Sequence, residues 1–304
     1  MTPIMRLPAF PPIWRQLKKH LSLTLCSLVC VVLSPSATAQ IVRMSDMAPI
    51  DMAQLVNVVR EADVAVLGEV HDNPRHHQLR GELLRQLPAS SKTVVAEHLT
   101  WRQQAHGGGD LLAGLQAAGF DSQGWGWPLH QPVFEAVTAM KMPLMGGNLA
   151  GESIKEVFKT RGQSLPEAVR TLLARAPFNE TQRKAMDEEI DEGHCRAMPS
   201  SLFEGMAAVQ RGRDAAMAEV ALAHLPSIVL AGNGHAWKHL GVPYVVAQAA
   251  PQLRTVSVLF MEWDDAKPLA EQQAFLAEWA QQADYVWLTL PHQRQDPCAK
   301  LLQK

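Results

Sequence analysis

Two short strings about 160 residues apart share one build: VAVLGEVH ending at His71, and SIVLAGNGH ending at His235. In each, an apolar run breaks into glycine, two variable residues and histidine. The run predicts a buried strand, and the glycine lets the backbone turn so that the histidine projects past the strand's carboxyl edge. A third string, TVVAEHLT, brings Glu97 and His98 to what is expected to be the same edge. In an open α/β sheet that edge is where ligands bind. The three strand ends gather Glu69, His71, Glu97, His98, Asn233 and His235, carboxylates and imidazoles that suit a divalent metal or proton transfer.

The stretches between these strings alternate. MAQLVNVVREA, NPRHHQLRGELLRQL and QPVFEAVTAM read as helices, whereas VAVLGEV, TVVAEHL and MPLMGGNL read as strands. Such alternation predicts an α/β fold with a mainly parallel sheet flanked by helices on both faces. No strand is expected over residues 151–225, which read as a helical insertion between the third and fourth of these strands. Alternation then resumes with SIVLAGN, RTVSVLFMEW, a helix near 268–282 and YVWLTLP. Residues 101–130, rich in glycine and tryptophan, are expected to form a binding loop or lid.

Residues 1–39 are expected to be a secretory signal peptide. Arg6, Arg15, Lys18 and Lys19 precede the apolar stretch LSLTLCSLVCVVL, and Ala37-Thr38-Ala39 supplies a cleavage site before Gln40. The expected mature protein is one domain, 40–304, exported to the periplasm or cell envelope. A lipid anchor is disfavoured, because Cys26 and Cys30 lack the small preceding residues of a lipoprotein site. Only Cys195 and Cys298 remain after cleavage, and their pairing is left open. Of the 28 Lys plus Arg, four lie in the leader, which holds none of the 30 Asp plus Glu, so the mature chain carries a formal charge of −6. That balance speaks against nucleic acid as a partner.

Within the insertion, Met206, Val209, Arg213, Met217 and Val220 recur at helical steps, placing Arg213 on the inward stripe. A charge there needs a partner: Asp214, a loop carbonyl, the strand-end carboxylates or an anionic ligand. His76 and His77 are expected on a helix surface, outside the site. Asn233 is expected to cap the helix beginning near His235, or to join the site. Trp125 and Trp127 with Phe134 are expected either to line an apolar ligand's pocket or to anchor their loop.

With these residues in view, the chain resembles the ChaN haem-binding family of bacterial envelope proteins, within the superfamily that includes TIKI metalloproteases, TraB proteins and erythromycin esterases. LGEVHDNPRHHQ, VVAEHL, GWP with QPVFEAV, KMPLMGGNL, AVQRGRDAAMA and VLAGNGHAWKHLGVP carry the resemblance over nearly all of 62–243. It implies a site at Glu69, His71, Glu97, Arg213 and His235, and a role in haem binding and iron acquisition, with a homodimer and an outer-membrane haem receptor or transport system as partners. Family members use tyrosine on the iron in a W-x-x-Y-x-P string. Here the string is Trp127, Pro128, Leu129, His130, Gln131 and Pro132, so His130 stands where the tyrosine is expected, and Tyr244 and His239 are the other candidate haem ligands.

The residues also support a metal-dependent hydrolase of the TIKI type, in which His71, Glu97 and His235 hold a divalent ion and Arg213 stabilises developing charge. A third reading makes the cluster a structural network of paired buried charges.

Overall fold

The computed structural model describes residues 40–106, 109–149, 151–296 and 298–299. The expected signal peptide, 1–39, lies outside the described residues. Nine strands form one sheet: β1 (Gln40–Arg43), β2 (Ala48–Ile50), β3 (Val64–Leu67), β4 (Thr93–Thr100), β5 (Gln104–Ala105), β6 (Leu144–Asn148), β7 (Ser227–Leu230), β8 (Thr255–Glu262) and β9 (Tyr285–Thr289). Their order is β2-β1-β9-β8-β3-β7-β4-β6-β5. The six strands from β9 to β6 pair in parallel, and antiparallel β1, β2 and β5 finish the edges. These edge strands were not apparent in the sequence, because two to four residues carry too little alternation to register.

The expected helices form, joined by two that the sequence did not suggest, at 111–117 within the expected loop and at 242–249. They are α1 (Met52–Glu61), α2 (Pro74–Arg85), α3 (Leu111–Ala117), α4 (Gln131–Ala139), α5 (Glu152–Lys159), α6 (Glu167–Arg175), α7 (Glu180–Gly193), α8 (Phe203–Ala223), α9 (Asn233–Ala236), α10 (Val242–Ala249) and α11 (Leu269–Trp279). Helix α1 starts on a capping box, Asp51 with Gln54. Helix α2 starts on Asn73, whose side chain accepts from the Arg75 amide, with Pro74 in the first turn. The expected insertion is α5–α8, between β6 and β7.

Strand alternation divides the core. Val64, Val66, Val95 and Val229 face α8, α10 and the rest of the helical layer, whereas Ala65, Leu67, Val94, Ala96 and Ile228 face α1, α2 and α4. Helix α8 carries Ala215, Ala216, Ala218 and Ala221 on its buried side, so it lies close to the sheet. Gly147 of β6 completes that approach, since a Cβ there would come within 2.6 Å of Met217. This closeness places the polar residues of α8 over the ends of the parallel strands.

Cys195, just after α7, is bonded to Cys298 near the chain's carboxyl end, across a sequence separation of 103. Closing so long a loop restricts the unfolded chain. Cys298→Ser is expected to lower the free energy of unfolding by about 2–4 kcal/mol, read from urea denaturation, and reductant is expected to lower wild type to the same midpoint while leaving the variant unchanged.

Candidate functional site

Strands β3, β7 and β4 are neighbours, with Leu67 and Ala96 both in register with Leu230. Beyond that register β7 stops and turns, while β4 runs on through Glu97 and His98. The loop after β3 and the turn after β7 are joined by the Asn233 amide donating to the Glu69 carbonyl at 2.9 Å. Gly232 has φ −64°, so a left-handed backbone is not what it supplies. It supplies space, because a Cβ at that position would sit 2.7 Å from His71 Nε2.

Alternation along β4 sends its two polar residues to opposite faces. His98 follows Ala96 toward α2 and α4, and Glu97 follows Val95 toward α8. Two buried clusters result. The expected single group of strand-end residues is therefore split by the sheet.

The first cluster centres on Glu69, which is 2% exposed. Its Oε1 lies 3.0 Å from His71 Nδ1, 3.3 Å from His98 Nε2 and 3.6 Å from His130 Nε2. Its Oε2 lies 2.9 Å from His77 Nδ1 and in ion-pair contact with Arg80 Nη2. His77 donates Nε2–H to the His71 carbonyl at 2.9 Å, which leaves Nδ1 as a lone pair pointing at Arg80 and Glu69. Trp125 covers the cluster, its ring 4.4 Å from that of His98 and 5.6 Å from that of His130.

The second cluster is Glu97, His235 and Asp214. His235 Nδ1 is 2.6 Å from Asp214 Oδ1 of α8, and its Nε2 is 3.4 Å from Glu97 Oε1, while the Gly232 amide donates to Glu97 Oε2 at 2.8 Å. Burial opposes a charge on His235, yet Glu97 and Asp214 together raise its pKa to about 10, so it is an imidazolium at neutral pH. Burial also opposes ionisation of Glu97, but His235 outweighs it and holds that carboxyl well below its usual range, whereas burial raises Asp214. With both ring nitrogens facing carboxylates, His235 offers no lone pair. Of the expected metal set, Glu97 and His235 are in contact, but among the described residues His71, Glu97 and His235 do not bring three ligand atoms within 4.8 Å of one another.

His71 links the clusters: Nδ1 contacts Glu69 and Nε2 lies over Gly232. Its side chain is 47% exposed, so it forms the open face of an otherwise buried site.

Several expectations need correction. His76 and His77 are fully buried rather than on a helix surface, because α2 packs flat against the sheet and α4. His76 accepts from the Val70 amide and bonds Thr289 Oγ1, and His77 belongs to the Glu69 cluster. Arg213 is half-buried with its Nε unpartnered, and among the described ion pairs it contacts none of the strand-end carboxylates. The buried guanidinium on Glu69 is instead that of Arg80, and Asp214 pairs with His235. Asn233 does not cap α9: its side-chain Nδ2 donates to the Phe260 carbonyl at 2.8 Å. His130, at the start of α4, is 1% exposed and directed at Glu69, which gives a surface-bound porphyrin no access to its ring. Tyr244 donates its hydroxyl to the Pro177 carbonyl, and His239 stacks on Trp237, both beside the helical layer. The one advance signal for Arg80 and His77 was their three-residue spacing on α2, which gives both one face.

Opposed protonation preferences make stability fall on both sides of neutrality. Burial lowers His76 to about 3 and His77 to about 4, so below about 6.5 the unfolded chain takes up protons that the folded chain refuses, and stability falls. His235 acts in reverse. Its contribution is complete below about 6.5 and is lost as pH rises through about 10. Urea midpoints at roughly pH 5, 7 and 9 are expected to peak at the middle value, and His235→Gln is expected to flatten the alkaline limb.

Residues 55–246 match a family described as haem-binding uptake, Tiki superfamily, ChaN. No curated protein matches the sequence. The fold is similar to that of ChaN of Campylobacter jejuni, in a structure describing cofacial haem binding, with a TM-score of 0.64 and 18% identity over 82% of this chain and 96% of that one. A Bacillus cereus protein gives a TM-score of 0.40 and 14% identity over 73% of this chain and 71% of its own. The matched span contains both GxxH strand ends, Glu97 and the whole helical insertion α5–α8, and by it this chain belongs to the ChaN haem-binding uptake family of the Tiki superfamily.

Proposed function

We propose that this protein binds haem in a groove of its helical layer and contributes to haem acquisition at the cell envelope. Haem presents a flat apolar macrocycle and two carboxylates. The groove between α6, α7 and α8 has a volume of about 800 Å³ and is lined by Leu165, Leu173, Phe178, Met186 and Phe203 together with four arginines. That size lies within the range of small-molecule sites.

The observation that carries the reading is how those arginines are held. Arg170 donates to the Gln163 carbonyl, Arg183 to the Phe178 carbonyl and Arg211 to the Ala176 carbonyl. Among the described ion pairs none of these three has a carboxylate partner, and only Arg161 of the groove does, with Glu204. Backbone carbonyls position the guanidiniums without neutralising them, which leaves their charge for an anionic ligand. Arg211 also lies 3.9 Å over the Phe178 ring. A porphyrin with its ring on the apolar wall and its propionates on these cations satisfies both halves of the groove.

Two candidate iron ligands lie beside it. The Tyr244 ring is 5.6 Å from that of Phe178, and the His239 carbonyl accepts from Gln182, next to Arg183. Ligation by Tyr244 exchanges its bond to Pro177 for iron. A second copy of the chain facing the groove makes a haem-bridged homodimer, and an outer-membrane haem receptor or transport system is the partner for delivery. Export with cleavage after Ala39 accords with the disulfide, since such bonds persist in oxidising compartments.

Titration of the mature protein with haemin is expected to give a saturable Soret shift. Arg183→Ala and Arg211→Ala are each expected to weaken binding roughly 10- to 100-fold, the worth of a charge-assisted bond. Tyr244→Phe or His239→Ala is expected to change the spectrum, identifying the ligand. A Soret shift unaffected by both arginine changes would remove the groove from the reading, and the absence of any saturable shift would remove haem.

A further inference from the structure

Glu69, His77 and His130 present one ligand atom each within 4.8 Å of one another, and all three side chains are buried. His98 lies beside this group, its Nε2 3.3 Å from Glu69 Oε1. Both ring nitrogens of His98 and both of His130 are buried without a hydrogen-bond partner. Leaving four imidazole nitrogens unsatisfied in one buried cluster is costly, and such a concentration calls for a ligand.

We propose that Glu69, His77 and His130, with His98 alongside, form a binding site for a divalent first-row transition metal, zinc above all, separate from the arginine-lined groove. A tetrahedral zinc with bonds near 2.0–2.1 Å holds its ligand atoms about 3.3 Å apart. Glu69 Oε2 lies 2.9 Å from His77 Nδ1, and Glu69 Oε1 lies 3.3 Å from His98 Nε2 and 3.6 Å from His130 Nε2, so each imidazole is near that spacing from one carboxylate oxygen or the other. Imidazoles with one carboxylate are a donor set that zinc and its neighbours prefer over calcium or magnesium.

The surroundings have the features of such a site. His77 donates its remote Nε2–H to the His71 carbonyl, the outer bond that fixes a ligating imidazole's tautomer and aims its lone pair. Trp125, Phe120 and Phe134 pack around His98 and His130 and keep the pocket dry. Half-exposed His71 lies at the mouth, against the Trp125 ring at 5.2 Å.

Arg80 makes the site conditional. Its Nη2 bridges Glu69 Oε2 and His77 Nδ1, the two atoms an ion would also take. Guanidinium and metal are thus alternative countercharges for one buried carboxylate. Binding the ion displaces that contact, so affinity is set below what the bare donor set provides. No surface histidine pair responds to Arg80 in this way.

The test uses Co²⁺ and Zn²⁺ alone, with chelator-stripped mature protein and no haem. Wild type is expected to bind one equivalent of Co²⁺ with the intense visible absorption of a tetrahedral site, and Zn²⁺ is expected to displace it and to raise the thermal midpoint. His130→Gln is expected to weaken binding by more than roughly 100-fold, since even supporting residues around a metal cost 10- to 100-fold. Arg80→Gln is expected to tighten it at least tenfold. The shift of wild-type midpoint with Zn²⁺ needs no variant to fold, and circular dichroism reports the variants. Absence of stoichiometric Co²⁺ overturns the site, as does unchanged affinity in folded His130→Gln or in folded Arg80→Gln. Loss of Co²⁺ in His235→Gln with retention in His130→Gln assigns the ion to the other cluster and equally overturns it.

Discussion

A carboxylate buried to 2% exposure cannot keep its charge without partners, and Glu69 obliges much of this fold to supply them. Its partners come from the loop after β3, from α2, from β4 and from the start of α4. No two of those elements can shift relative to one another without stranding a charge in an apolar interior. The glycine that precedes Glu69, the proline-started helix that follows and the flat packing of α2 on α4 all serve to bring Arg80 and His77 to the carboxylate. This explains why α2 carries four buried polar residues, Asn73 at its cap and His76, His77 and Arg80 within it, where an amphipathic helix of its length ordinarily buries only apolar ones.

Across the sheet the same demand is met differently. Glu97 and Asp214 share one imidazolium, His235, and the Gly232 amide adds a bond to Glu97. The small residues of α8 and Gly147 allow the helix near enough for Asp214 to reach. Both faces of one strand end are therefore polar and buried, and His71 lies between them with its ring open to solvent.

The arginine-lined groove and the strand-end clusters are distinct parts of the molecule. The groove is lined by residues of the helical insertion, with Arg170, Arg183 and Arg211 anchored to backbone carbonyls and Arg161 to Glu204. The strand-end clusters are enclosed by helices from both faces and by the Trp125 loop. A ligand as broad as a porphyrin suits the former, and an ion suits the latter. Helix α8 joins them, since Arg211 lines the groove and Asp214 clamps His235.

The sequence by itself determined the class of fold. Buried runs of four or more apolar residues alternating with helical periodicity admit little besides a mainly parallel sheet covered on both faces, and an insertion without strands must be helical. It also determined that Glu69, His71, Glu97, His98 and His235 lie at one sheet edge, because strand ends in a parallel sheet share a direction. Only the tertiary structure decided how these residues are partitioned and paired. Which face Glu97 or His98 takes depends on the register of β4 against β7 and on what covers each side, and neither is written in local spacing. Arg80, His77 and Asp214 entered through helix packing, where a polar residue on a helix looks the same in sequence whether it meets water or a buried carboxylate. The pairing of Cys195 with Cys298, and the four arginines around one groove, likewise depend on contacts between segments far apart in the chain.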